Sequence, residues 1–162
     1  MPERDYVCDI LKVRYTGICD FKKLYQAMIK WFNQYDYDFQ ELDYKEYKED
    51  GKRNLFVRWQ ADKPMNEYVR YYIQIEATLL DMKDVMVHKK KRLRTELSME
   101  FCGYLAKDYE ESWYRSSILK FIRECYDKFA IGSQLKIMEK ELKDEVYKIM
   151  NEVKSYLNLQ KL

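Results

Sequence analysis

Between Asn66 and Leu80 the apolar side chains fall on every second residue. Val69, Tyr71, Ile73, Ile75, Ala77 and Leu79 share one face, against Tyr68, Arg70, Tyr72, Gln74, Glu76, Thr78 and Leu80 on the other. A period of two sends successive side chains to opposite faces of a pleated strand, so this stretch predicts a strand with one dry and one mostly wet face. The pattern returns from Leu93 to Leu105, where Leu93, Thr95, Leu97, Met99, Phe101, Gly103 and Leu105 alternate with Arg94, Glu96, Ser98, Glu100, Cys102 and Tyr104. A one-sided sheet needs an apolar cover. The end of the chain offers one: Leu135, Met138, Leu142, Val146, Ile149, Val153 and Tyr156 recur at spacings of three and four. They predict a helix from about Gln134 to Leu157, roughly 35 Å long at 1.5 Å per residue.

The rest of the chain is read around this frame. Tyr6 to Tyr15 predicts a first strand, with Leu11, Val13 and Tyr15 on one face and Gly17 as its break. Asp20 stands as the N-cap of a helix striped by Leu24, Ala27, Met28 and Trp31, widened by Ile29 and Phe32, that ends near Asn33. Tyr37 to Lys48 reads as a strand of tyrosines and acids whose broken alternation at Phe39, Leu42, Tyr44 and Tyr47 indicates a bulge or an edge position. Glu49-Asp50-Gly51-Lys52 makes a turn, and Leu55, Val57, Trp59 and Ala61 form a strand closed by Lys63-Pro64. A tight connection at Asp81 to Asp84 leads to a short strand Val85-Met86-Val87, so five strands from 37 to 105 make an antiparallel meander. Trp113, Ile118, Phe121, Ile122, Cys125 and Phe129 predict a further helix over about 112–128. The expected architecture is one α+β domain over residues 1–162, an antiparallel meander packed on a long C-terminal helix.

Strand, helix, meander and long terminal helix, in that order, resemble the START-like and polyketide-cyclase-like (helix-grip) superfamily. The likeness is one of topology and covers nearly the whole chain. It differs by one strand fewer in the meander and by the helix at 112–128, and no residue motif is matched. The resemblance implies an apolar cavity between sheet and terminal helix. The inward set that would line it is Trp59, Tyr71, Ile73, Ile75, Leu97, Met99 and Phe101, closed by Met138, Leu142 and Ile149. Predominantly apolar walls with an occasional hydroxyl suit a small hydrophobic ligand. Stripes of this kind more often form solid core.

Composition adds exclusions. Thirty basic and 28 acidic residues leave a net charge of +2, so no global field selects nucleic acid or anionic membrane. Cys8, Cys19, Cys102 and Cys125 include no CxxC pair, which argues against a zinc or redox site and fits a reducing compartment. The start, Met-Pro-Glu-Arg-Asp, shows no basic segment followed by an apolar run, and no apolar run approaches the about 18 residues of a membrane span. A soluble cytoplasmic protein is the expectation. One histidine, His88, leaves little scope for acid–base catalysis near neutral pH, and neither a nucleophile motif nor a glycine-rich phosphate loop is present. The reading is a non-catalytic binding protein without cofactor or metal, whose partner is a small hydrophobic molecule or another protein. The acidic tyrosine strand would be a protein-binding edge.

The alternative is a nucleic-acid-associated module. Lys89, Lys90, Lys91, Arg92 and Arg94 place five cations in six residues at a hairpin tip, where phosphates of RNA, DNA or lipid could meet them. Tyr68, Tyr72 and Tyr104 on the wetter face could stack on bases. Against this, residues 36–50 carry seven acids and two lysines and could oppose the tip from within the same sheet.

Overall fold

The computed structural model describes residues 3–66, 68–107, 121, 124–125 and 132–159. Strands β1 (Glu3–Tyr6) and β2 (Leu11–Cys19) precede helix α1 (Phe21–Gln34). Strands β3 (Asp38–Glu49), β4 (Lys52–Pro64), β5 (Val69–Val87) and β6 (Lys90–Lys107) follow, and helix α2 (Gly132–Leu159) comes last. All the pairings are antiparallel and form one six-stranded sheet among the described residues. The sheet is assembled on β6. One side of β6 pairs with β5 from Val69↔Lys107 to Val87↔Lys90; the other pairs with β1 at Tyr104–Lys107 and with β2 at Leu93–Phe101. Beyond β5 lie β4 and then β3, which forms an edge.

The two-residue rhythm is obeyed where the sheet is covered. Val69, Tyr71, Ile73, Ile75, Ala77 and Leu79 each expose at most 1%, while Arg70, Tyr72, Gln74, Glu76 and Thr78 opposite are half-buried. The α+β architecture, with the C-terminal helix packed on an antiparallel sheet, is as the sequence indicates. Among the described residues two helices divide the cover between them. α2 lies against β6 and β2 and touches α1, which lies against β3. Asp20 caps α1 as expected, its Oδ1 accepting from the Lys23 N–H at 3.2 Å. The helix then buries Leu24, Met28, Trp31 and Phe32. α2 buries Leu135, Leu142, Val146, Ile149, Val153 and Leu157, with Met138 and Tyr156 half-buried. Each such aliphatic side chain is worth about 1.5–3 kcal/mol on leaving water.

Four expectations are corrected. The predicted first strand is two strands on the same neighbour. From Tyr6 to Leu11 the chain takes five steps while β6 takes three, Tyr104 to Phe101, so the Val7–Ile10 connection carries two residues more than the ladder needs. Gly17 does not end the strand: it sits inside β2 at φ +150°, where a Cβ would lie 3.2 Å from the Tyr15 hydroxyl that folds back to donate to the Ile18 carbonyl. The meander has four strands rather than five, because Asp81 to Asp84 is a bulge within β5. Leu80↔Glu96 is followed by Lys83↔Arg94, three steps against two, and the extra residue is held by Asp81 in the left-handed region at φ 51°. The buried Asn54 accepts from the Asp81 N–H at 3.0 Å, and Thr95 Oγ1 donates to the Leu80 carbonyl at 2.8 Å. Finally, α1 takes part of the cover that the sequence reading gave to α2. The helix predicted over 112–128 lies outside the described residues except for Phe121, Glu124 and Cys125, which are helical.

The bulge and edge expected in β3 are both present: Leu42 is the extra residue between Glu41↔Trp59 and Asp43↔Arg58.

α2 approaches β6 closely because position 103 has no side chain. A Cβ on Gly103 would stand 2.6 Å from Val146 Cγ2 and 3.3 Å from Val7 Cγ2. Gly103→Ala should therefore lower the unfolding free energy by about 1–3 kcal/mol through overpacking. Val146→Ala introduced beside it should restore part of the loss, and urea unfolding of the two single variants and the double variant measures that coupling.

Candidate functional site

A set of polar side chains converges at the margin of the otherwise apolar sheet–helix interface, where β4 ends and β5 begins, with Glu145 buried and Glu141 exposed. Glu141 and Glu145 stand four residues apart on one face of α2. Lys63 comes from the end of β4, Tyr71 from β5, and Tyr37 from the connection between α1 and β3. The Tyr37 hydroxyl donates to Glu145 Oε2. The Lys63 ammonium donates to both Glu145 oxygens, at 3.3 and 3.4 Å, and lies 4.5 Å from the Tyr37 ring centroid and 5.6 Å from that of Tyr71. Tyr71 donates to Glu141 Oε2 at 3.0 Å. Burial pushes both tyrosine hydroxyls above their ordinary pKa, and the glutamates that accept from them add to the rise. The Lys63 and Glu145 side chains are only 15% and 8% exposed. Removing such charges from water costs several kcal/mol per ion, offset here by pairing, two aromatic faces and hydrogen bonds.

The sequence contained a signal for this set. Glu145 stands three residues after Leu142 and four before Ile149, a carboxylate at the spacing of the apolar stripe. Lys63 carried no such signal, since beside Pro64 it reads only as a strand end.

The residues expected to line a cavity are all placed on the covered side of the sheet. Trp59, Tyr71, Ile73, Ile75, Leu97, Met99, Phe101, Leu142 and Ile149 each expose 2% or less, and Met138 is half-buried against the same core. They do not all face α2. Trp59 packs on α1, its ring centroid 5.6 Å from Tyr25 and 6.1 Å from Phe21, and its indole N–H donates to Glu41 at 3.2 Å. Two open grooves lie elsewhere: one of about 310 Å³ at the β3–β4 hairpin beside Tyr47, Arg53 and Met82, the other of about 230 Å³ between β2 and α2 beside Val13, Tyr15 and Leu157.

The basic run occupies the β5–β6 hairpin. The two-residue turn is His88-Lys89, and Lys90 already pairs with Val87. Lys91 meets Asp84 at 3.6 Å and Arg92 meets Asp20 at 3.1 Å. Among the described residues no acid of the 36–50 segment pairs with this hairpin, and no carboxylate pairs with Lys89, Lys90 or Arg94. Of the tyrosines expected on the wetter face, Tyr68 and Tyr72 are half-buried. Tyr104 is 2% exposed, stacked on Tyr72 with centroids 4.9 Å apart and covered by Arg4 at 5.1 Å. Burial pushes its hydroxyl pKa up to about 12.

Among the described residues no group of three or more His, Cys, Asp or Glu converges as a metal set, and no helix is long and apolar enough to cross a membrane. The four cysteines are unpaired. No protein-family model matches the chain, and no curated protein does. Among solved structures it is similar to an uncharacterised protein from Rhizobium leguminosarum, 10% identical over 98% of each chain with a TM-score of 0.21, a likeness too slight to carry an argument.

Two outcomes follow from the buried polar set. Lys63→Met leaves Glu145 charged without its cation and should cost about 3–5 kcal/mol, whereas Lys63→Met with Glu145→Leu should recover most of it; chemical unfolding of both variants checks this. The raised tyrosine pKa values also fix a direction with pH. The folded state keeps hydroxyl protons that the unfolded chain releases near its ordinary value of about 10, so this contribution is constant below that pH and is lost above it. Urea midpoints should fall above pH 10, and less steeply in Tyr37→Phe.

Proposed function

We propose that this chain is a non-catalytic binding protein that takes an extended, basic segment of a partner protein along the outer edge of β3. The observation that supports this is the state of that edge. Among the described residues β3 pairs with β4 alone, and ten of its twelve residues are exposed, including Leu42 at 48% and Tyr44 at 56%. An unpaired edge presents a row of backbone donors and acceptors to an incoming strand. Five acids, Asp38, Glu41, Asp43, Glu46 and Glu49, stand against Lys45 and Lys48. That charge repels a second β3 edge and attracts a lysine- or arginine-rich strand, while the bulge at Leu42 adds further protection against self-pairing. Binding of this kind belongs in a reducing, cytoplasmic setting, consistent with four unpaired cysteines.

The buried polar set favours a second reading. An apolar interface with a few convergent polar groups is the composition of a small-molecule site. The topological likeness to the START-like superfamily points to the same place, between sheet and α2. Since the apolar residues Tyr71, Ile73, Phe101, Leu142 and Ile149 expose 2% or less, a ligand would enter only as α2 moves away from the sheet.

Selection of extended peptides from a random display library tests the first reading. Basic peptides should be enriched and should protect β3 amides from hydrogen exchange; enrichment without sequence bias, or protection elsewhere, would overturn it. For the second reading, native mass spectrometry of protein purified from its own host should show a bound small molecule whose affinity falls in Lys63→Met/Glu145→Leu. Bare protein in every preparation would retire it.

A further inference from the structure

We propose that the β5–β6 ribbon is a DNA-docking element that enters the major groove of duplex DNA and binds its phosphates. β4 leaves β5 after Leu55↔Leu79, and β2 leaves β6 after Cys19↔Leu93. From Val85 to Arg92 the two strands therefore have only each other. Cross-strand partners share a face, so Lys83 and Arg94, Val85 and Arg92, and Val87 and Lys90 lie together, while Asp84, Leu93, Met86 and Lys91 occupy the other side. Between the Lys83–Arg94 pair and the turn, one face thus carries Lys83, Lys90, Arg92 and Arg94 and no acid, Glu96 being the next β6 residue on that face, and Lys89 stands at the tip. Lys83 and Arg94 are direct opposite partners, an arrangement that repels unless an anion sits between them. Asp20 answers Arg92 at 3.1 Å and Asp81 answers Lys83 at 3.6 Å. Lys89, Lys90 and Arg94 meet no carboxylate among the described residues.

The turn supplies a second observation. The β3–β4 hairpin turns on Asp50-Gly51, at φ 52° and 74°, the residue types that such left-handed positions favour. The ribbon makes the same two-residue turn with His88 and Lys89 at φ 50° and 63°. Keeping two bulky side chains in a disfavoured conformation is a cost that the other hairpin avoids, and it places a lysine at the farthest point of the ribbon.

Shape selects the partner. Four residues per strand beyond the last neighbouring strand, the turn included, reach about 13 Å. The B-form major groove, about 12 Å wide and 8.5 Å deep, admits a two-stranded ribbon, whereas the narrow major groove of A-form RNA does not. The two turn residues carry no apolar wedge for a bilayer, and Met86, 69% exposed, lies on the opposite face beside Lys91. Tyr104 is buried and Tyr72 stacks on it, which argues against base stacking with single strands.

The test is fluorescence anisotropy with a labelled 20-base-pair DNA duplex, the matching RNA duplex and vesicles containing phosphatidylserine. DNA should bind tightest, with log affinity falling against log salt at a slope of about −3 for the three carboxylate-free cations. Lys90→Gln with Arg94→Gln should reduce that slope by about 2, while Lys140→Gln with Lys143→Gln on α2 should leave it unchanged. His88→Asn with Lys89→Gly should raise the unfolding midpoint and weaken DNA binding about five- to tenfold at 0.1 M salt. These turn substitutions relieve strain, so a loss of binding there cannot be a loss of fold. Equal or tighter binding of RNA or vesicles, a slope unmoved by the ribbon substitutions, or no DNA binding at low salt would overturn the proposal.

Discussion

The close approach of α2 to β6 over Gly103 is the constraint on which the rest of the protein depends. β6 pairs with β5 on one side and with β1 and β2 on the other, so it is the strand whose loss would divide the sheet. A helix seated on that strand through Leu142 and Val146 closes the dry face where the sheet is assembled. Hydrophobic burial supplies the drive and is tolerant of small sliding movements. Position is fixed by features that do not slide: a missing Cβ at one point, and the Lys63–Glu145–Tyr37 contacts at another.

Those polar contacts add specificity at a cost. Apolar side chains of the same volume would often hold a helix at least as firmly. A buried carboxylate reached by one ammonium and one phenol accepts only one register of helix on sheet, and so selects it. Under the small-molecule reading proposed above, this same group would meet the polar end of the ligand.

Much of this architecture could be read from the residues because burial writes its period into the chain. Ile73, Ile75, Leu97 and Met99 announce strands, Leu142, Val146 and Ile149 announce the covering helix, and Asp20 announces a cap. Three things were hidden for physical reasons. Asp81 reads as a turn residue because the left-handed conformation it adopts is a turn conformation, yet Asn54 and Thr95 hold it inside a continuous strand. Gly17 reads as a break, yet it makes room for the Tyr15 ring. The polar set joins α2 to β4, β5 and the approach to β3, and chain order alone does not reveal which distant carboxylate an interior lysine will meet.

The additional residue at Asp81–Met82 works as a phase shifter. Up to Leu79 the odd positions of β5 point towards the helices; past the bulge the even ones do, Asp84 and Met86 alongside Leu93. Pair the same residues without the bulge and Asp84 would turn over to stand opposite Arg92, mixing a negative charge into the array of Lys90, Arg92 and Arg94. A single irregularity in the ladder thereby sorts the signs of charge at the far end of the molecule.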